Sequence, residues 1–296
     1  MLSYIHSFHA GNHADILKHL TITLILESLC KKEKPFTVFD THAGSGIYDL
    51  DDARLLKTGE AESGIKRLMS ALENQDGKKH FANLLETGKK YIETVKRYYD
   101  EEKYPGSPLI ENELLRPGDV QILSELHPAA AEELEMCFHK KNLKVRPQLH
   151  RRDGYEMLKA LTPPKIKRGL CVIDPSYEDA SDYEKCARTI LEVHRKWPAG
   201  IIALWYPLLT RKTAELDGMK EMIFSSAEEN QSEPKTLDIQ LEVKNPSDME
   251  GLASMYGSGM LVINFPYELD KKMEKVLPEL SVILGESSNN WSLEKK

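Results

Sequence analysis

The sequence predicts an α/β fold: an open, largely parallel sheet with helices packed on it. Three observations predict it. Short apolar runs recur along the chain, among them FTVFD (36–40), VQILSEL (120–126), GLCVID (169–174) and GIIALWYP (200–207). Segments of helical periodicity separate them, and strands joined by helices pair in parallel. Several runs end on ligand-capable residues, and in such sheets ligands gather beyond the carboxyl ends of the strands, where strand order reverses.

The elements follow in order. Asn12, with Asp15 three residues on, can cap a first helix over about 13–31, whose Ile16, Leu17, Leu20, Leu24 and Ile25 give a broad apolar face. FTVFD is a short buried strand. Residues 49–115 are mostly helical and charged, interrupted by YPGSP (104–108); the segment is too long for one crossover helix and reads as a helical insertion between the first two strands. VQILSEL is the second strand, with a helix from about Pro128 to Lys140. LKVRPQL (143–149) is a weaker strand broken by Pro147, since proline cannot donate to a ladder. GLCVID is strong; Ser181 and Glu184 predict a capping box for a helix over 182–196. GIIALWYP is followed by a helix over about 210–222. LDIQLEV (237–243) and GMLVINFP (259–266) have no clear helix between them, which predicts a terminal antiparallel pair. Seven strands with the last reversed and inserted is the Rossmann-like architecture of S-adenosylmethionine-dependent methyltransferases. The chain then reads as one such domain, 1–296, carrying a 49–115 insertion.

With 296 residues, 41% of them hydrophobic, the chain can bury a substantial core. Its longest apolar stretches, Leu20–Ile25 and Ile201–Tyr206, fall well short of the roughly 18 residues of a bilayer span. MLSYIHSFHAGNHADILKHL carries histidines and Asp15 where a signal peptide has an apolar block. Cys30, Cys137, Cys171 and Cys186 contain no C-x-x-C pair and suit free thiols. A cytoplasmic protein, away from membranes, and a monomer are expected. Net charge is −7, but His139–Gly169 holds ten Lys/Arg against Asp153 and Glu156. That block is either a solvated face or a flank of the motif that follows it.

Four strand ends carry candidate chemistry. After strand one, Asp40, His42, Gly44 and Gly46 offer a tight turn that brings backbone close to a ligand. Glu125, leaving strand two, can accept both hydrogen bonds of a ribose diol. Asp153-Gly154 after strand three can read an adenine amine, or be a plain turn. After strand four, Asp174-Pro175-Ser176-Tyr177 resembles the [DNS]-P-P-[YFW] motif of amino-group methyltransferases. An adenine exocyclic amine is a poor nucleophile because its lone pair is delocalised into the ring. The Asp174 carboxylate and the Pro175 carbonyl would accept its two N–H bonds and stabilise positive charge developing on nitrogen. Tyr177 would stack on the base. No spacing requires a metal.

MLSYIHSFHAGNHADILKH, DTHAGSGIYDL, YPGSPLI, SELHP, IDPSYE, ALWYP and SGMLVINFP occur in this order. Together they resemble the RlmJ family, bacterial methyltransferases of an adenine N6 in 23S ribosomal RNA, from Met1 to about Leu280. The resemblance implies S-adenosylmethionine as cofactor, S-adenosylhomocysteine as product and 23S rRNA as partner. It implies that His19, His42, Ser107, Glu125, Asp153 and Gly154 contact the cofactor and that Asp174 is the catalytic carboxylate. It also implies that Tyr4 contacts RNA, with His6 and Lys18 on the catalytic side. Periodicity alone puts His13 and His19 on the helix surface. A short RNA hairpin free of protein is the expected substrate, and the basic block would offset the cost of unstacking the target base.

The chain departs from the family at Ser176, where a second proline is usual; this bears on rate or target match more than on reaction type. DNA adenine-N6 or protein glutamine methylation, which share the loop, and a catalytically silent RNA-binding role are the alternatives. A nicotinamide oxidoreductase is disfavoured, because G-x-G-x-x-G is absent after strand one.

Overall fold

The computed structural model describes residues 9–73, 75–229, 235–249 and 254–296. Ten strands are present among them: β1 (Thr37–Asp40), β2 (Ile47–Asp49), β3 (Lys103–Pro105), β4 (Val120–Ser124), β5 (Gln148–His150), β6 (Gly169–Ile173), β7 (Ile201–Leu208), β8 (Thr236–Glu242), β9 (Gly257–Ile263) and β10 (Trp291–Lys295). Eight form one sheet in the order β10-β8-β9-β7-β6-β1-β4-β5, and β2 pairs with β3 separately. Strands β1, β4, β5, β6 and β7 pair in parallel, and β9 runs antiparallel between β7 and β8. This is the class-I methyltransferase arrangement. The seven expected strands are joined by an eighth, β10, antiparallel to β8 at the edge. Its sequence, WSLEK, is short, has two charged residues in five and is largely exposed, as edge strands tend to be.

The strand order turns at β1. The chain steps outward from β1 to β4 and β5, then returns to lay β6 on the other side of β1. Both central strands are buried at every residue. The carboxyl ends of β1 and β6 therefore open side by side at the switch point.

The first helix, His13–Cys30, is capped as expected: Asn12 Oδ1 accepts the Asp15 amide at 2.9 Å. It is not a surface helix with one apolar face. Every residue from Ala14 to Leu26 is buried, because the sheet lies on one side and helices from several parts of the chain lie on the others. Its polar residues are internally bonded; Thr21 and Thr23 donate to the carbonyls of Leu17 and His19, each at 2.8 Å.

Helices fill Ala53–Tyr99, and the small β2–β3 hairpin brings the two ends of that segment together. Gly106 N donates to Gly46 O at 2.8 Å, which seats the helix Ser107–Leu114 against the end of β1. Two local expectations are corrected. Strand three begins only after Pro147, at Gln148, so residues 143–147 are not strand. The Ser181/Glu184 capping box is absent. Asp179 Oδ1 takes the Ser181 amide at 2.9 Å, and Glu184 instead pairs with Arg188 one turn on, at 2.6 Å. The helix after β7 runs on to Glu229.

Candidate active site

A cleft of about 280 Å³ opens at the switch point. Its wall includes Lys18, His19, His42, Ser107, Glu125, Asp153, Gly154, Asp174, Pro175 and Ser176. The sequence-derived candidates among the described residues meet there, except Asp40, Gly46 and Tyr177. Tyr4 and His6 lie outside the described residues.

Asp174 leaves β6 with its side chain 13% exposed, and its Oδ2 accepts Lys18 Nζ at 2.5 Å. Lys18 comes from the first helix, is 5% exposed, and also donates to Asp15 Oδ1 at 2.8 Å. Burial pulls the Lys18 ammonium down, but Asp15 and Asp174 outweigh it and hold the pKa well above that of an ordinary lysine. The cation is thus fixed in its charged form between two carboxylates.

Glu125 follows β4. Its Oε2 accepts the Gly44 amide at 2.8 Å and its Oε1 the His127 amide at 2.7 Å, which fixes the plane of the carboxylate. Gly44 has φ +62°, and a Cβ there would lie 2.3 Å from the Tyr48 hydroxyl, so both the turn and the space require glycine. Gly154 is constrained in another way: its Cβ would lie 2.2 Å from Thr41 O. Asp153 is the cap of the helix Gly154–Leu161, accepting the Tyr155 and Glu156 amides at 2.8 and 3.1 Å. Its other oxygen takes Lys185 Nζ at 2.9 Å. Burial pushes the Asp153 carboxyl up, but Lys185 and the cap bonds bring it below its usual value.

His42 is kept neutral by burial, which lowers its pKa to about 4. Thr41 Oγ1 lies 2.7 Å from His42 Nδ1 and 3.1 Å from Val172 O, which fixes the orientation of the ring. Ser107 donates to Asp40 Oδ2 at 2.6 Å. Asp40 is fully buried behind it; burial pushes its carboxyl up to about 6, against the bonds from Ser107 and the His42 amide. His19 is 1% exposed and bonded through Nδ1 to the Tyr104 hydroxyl at 2.8 Å, which corrects its expected place on the helix surface. His13 is only half-buried.

Tyr177 is a correction. It sits at φ +52° with its ring in the interior, centroid 4.5 Å from that of Tyr183, and its hydroxyl donates to Trp205 O at 2.8 Å. Tyr177 is 4% exposed and forms no part of the cleft wall. The left-handed turn after Ser176 swings the ring under β7, where it anchors the loop. The basic block is not one patch either. It spans a whole crossover, so Arg151 pairs with Glu135 beyond β5 while Arg168, at the start of β6, donates to carbonyls of Leu29 and Lys34.

Asp15, Tyr155 and Lys185 escaped the sequence reading. Asp15 looked like a capping residue; its contact with Lys18 one turn later is the signal that could have found it. Among the described residues no group of three or more His, Cys, Asp or Glu could hold a metal ion, and no helix is long and apolar enough to cross a membrane.

Known proteins resemble the chain over most of its length. The family described as Ribosomal RNA large subunit methyltransferase D, RlmJ, matches residues 33–295. The chain is 42% identical to Ribosomal RNA large subunit methyltransferase J of Escherichia coli (strain K12), over 95% of this chain and 93% of the relative. It is 39% identical to the protein of the same description from Haemophilus influenzae, over 99% and 98%. A crystal structure of a Legionella pneumophila protein superposes with TM-score 0.80 at 30% identity, covering 97% of this chain and 98% of the other. A family match across most of the chain, joined by two relatives similar along their full length, establishes that this chain belongs to the RlmJ family of ribosomal RNA large subunit methyltransferases.

Proposed function

We propose that this protein methylates the exocyclic N6 amine of one adenine in 23S ribosomal RNA, using S-adenosylmethionine and working as a cytoplasmic monomer. The observation that carries the reading is the Asp174-Pro175 turn at the switch point, its carboxylate on the wall of a cleft rather than in the interior.

The donor set suits S-adenosylmethionine. Glu125 spends one lone pair of each oxygen on a backbone amide, which leaves acceptor capacity on both for a ribose diol. Ser107, having given its proton to Asp40, and neutral His42, through its unprotonated ring nitrogen, are acceptors suited to an ammonium group. His19, Asp153 and Gly154 complete the cofactor side. When bound, the cofactor supplies a methyl carbon on a positively charged sulfur. The chain's own part is to hold the amine. With Oδ2 tied to Lys18, Asp174 Oδ1 accepts one N–H of the amine and Pro175 O the other. Both dipoles then favour positive charge on the nitrogen. Tyr4 and His6 are assigned to the RNA.

The test is methyl transfer to 23S rRNA, and to a short hairpin cut from it, followed by mass mapping of modified nucleotides. N6-methyladenine at one position supports the reading. Label in DNA or protein, or RNA binding with no transfer, overturns it.

Two variants probe the walls. Glu125→Ala removes the diol acceptor and releases two backbone amides; weakening of cofactor binding by about tenfold or more is expected in a calorimetric titration. Ser176→Pro restores the usual second proline at a half-exposed cleft position, and turnover equal to or above that of the natural chain is expected. Complete loss would mean that the Ser176 hydroxyl has its own role.

A further inference from the structure

A continuous set of bonds runs from the helical segment after β2 to the catalytic carboxylate. Glu60 follows the short helix Ala53–Thr58 across Gly59. Its Oε2 accepts Asn12 Nδ2 at 2.8 Å, and its Oε1 lies 2.8 Å from His9 Nδ1. Asn12 in turn accepts the Asp15 amide at 2.9 Å, and Asp15 Oδ2 closes back on the Gly11 amide at 2.9 Å. Asp15 Oδ1 accepts from Lys18 Nζ, and Lys18 Nζ also donates to Asp174 Oδ2. Backbone contacts lock the same junction independently: Ile65 N donates to Gly11 O at 2.8 Å, and a Cβ at Gly64 would lie 2.1 Å from that oxygen.

We infer that Glu60 and Asp15 are positioning residues for methyl transfer, forming a relay through which the inserted helices set the place of the Lys18 ammonium on Asp174. The inference rests on the function proposed above for Asp174. Such a relay restricts side-chain freedom. A lysine has four rotatable bonds, and an ammonium accepts many directions. Two fixed carboxylates are needed to hold it in one. Asp174 ends a strand and is fixed by the sheet. Asp15 lies in the first turn of a helix, and Glu60 is the side chain that joins the loop before it to the insertion, beside the backbone bond from Ile65. Glu60 is 31% exposed, whereas Asp15 is 2% exposed, so Glu60 can be changed with the core left in place.

The test compares Glu60→Ala, Glu60→Gln and Asp15→Asn in the full chain. Gln keeps an acceptor for Asn12 and offers a donor to His9, so it preserves the relay. Expected is a fall in kcat of about tenfold for Glu60→Ala, with KM for S-adenosylmethionine changed less than about twofold, and recovery in Glu60→Gln. The second readout is the 1H–15N resonance of the Lys18 ammonium, assigned by its disappearance in Lys18→Arg. It should move in Glu60→Ala and Asp15→Asn and return in Glu60→Gln. A Lys18 resonance unmoved in Glu60→Ala, or a moved one with unchanged kcat, overturns the relay. Should the natural chain transfer no methyl group to RNA, the proposed function fails, while the resonance still decides whether Glu60 positions Lys18.

Discussion

Asp174→Ala is expected to lower kcat for methyl transfer by about a hundredfold to a thousandfold, the usual effect of removing one aligned partner of developing charge. S-adenosylmethionine affinity should stay largely intact, because the diol and ammonium acceptors assigned here belong to other strand ends. The measurement is single-turnover transfer to 23S rRNA beside a cofactor titration. Asp174→Asn separates charge from shape: it keeps an acceptor oxygen but removes the anion beside Lys18. If the carboxylate acts by attracting charge that builds on nitrogen, Asn should recover little of the loss. Turnover near that of the natural chain in either variant would remove Asp174 from the mechanism.

Lys18→Met is expected to strike both activity and stability. It leaves Asp15 and Asp174, one buried and one nearly so, facing each other across a methyl group. Breaking a buried ion pair from one side costs about 3–5 kcal/mol. For a chain of this size that corresponds to a drop of about 5–8 °C in Tm. The pH dependence has a definite sign. The natural Lys18 has a raised pKa, so its stabilisation is fully present at neutral pH and is lost only as pH rises through that value. In the variant, carboxylates without their cation favour the protonated form in the folded state. The deficit against the natural chain should therefore shrink as pH falls below about 5 and be largest near neutrality. A pH-independent deficit in a thermal series would mean that lost packing, not uncompensated charge, is responsible.

The two variants differ in what they report. Asp174→Ala removes the acceptor itself. Lys18→Met keeps the acceptor but frees its orientation and leaves its charge uncompensated.

Much of this site was legible in one dimension because strand ends are local features. An apolar run that stops on Asp, or on Glu followed by Leu-His-Pro, marks both the end of a strand and the residues that overhang it. That is why Asp40, Glu125, Asp153 and Asp174 could be named, and why the alternation of strand and helix was enough for seven of the sheet's eight strands. Roles for His19 and Lys18 came from family resemblance, since their helix has no polar face to single them out.

The tertiary structure decided what depends on neighbours distant in sequence. Tyr177 reads as a stacking ring beside a catalytic motif, but a single positive φ turns it under β7; no pattern of residue types encodes that torsion in a non-glycine residue. The first helix reads as amphipathic, yet it is buried on every side because elements from both halves of the chain converge on it. The basic run reads as a solvated face or a flank of the motif, but a strand–helix–strand crossover separates its ends, from the edge strand β5 to the central strand β6. Composition and periodicity thus determined the sheet and the strand ends that bear chemistry. Only three-dimensional packing, which joins Asp15, Lys18 and Asp174 across 156 positions between Lys18 and Asp174, decided which of those groups act together.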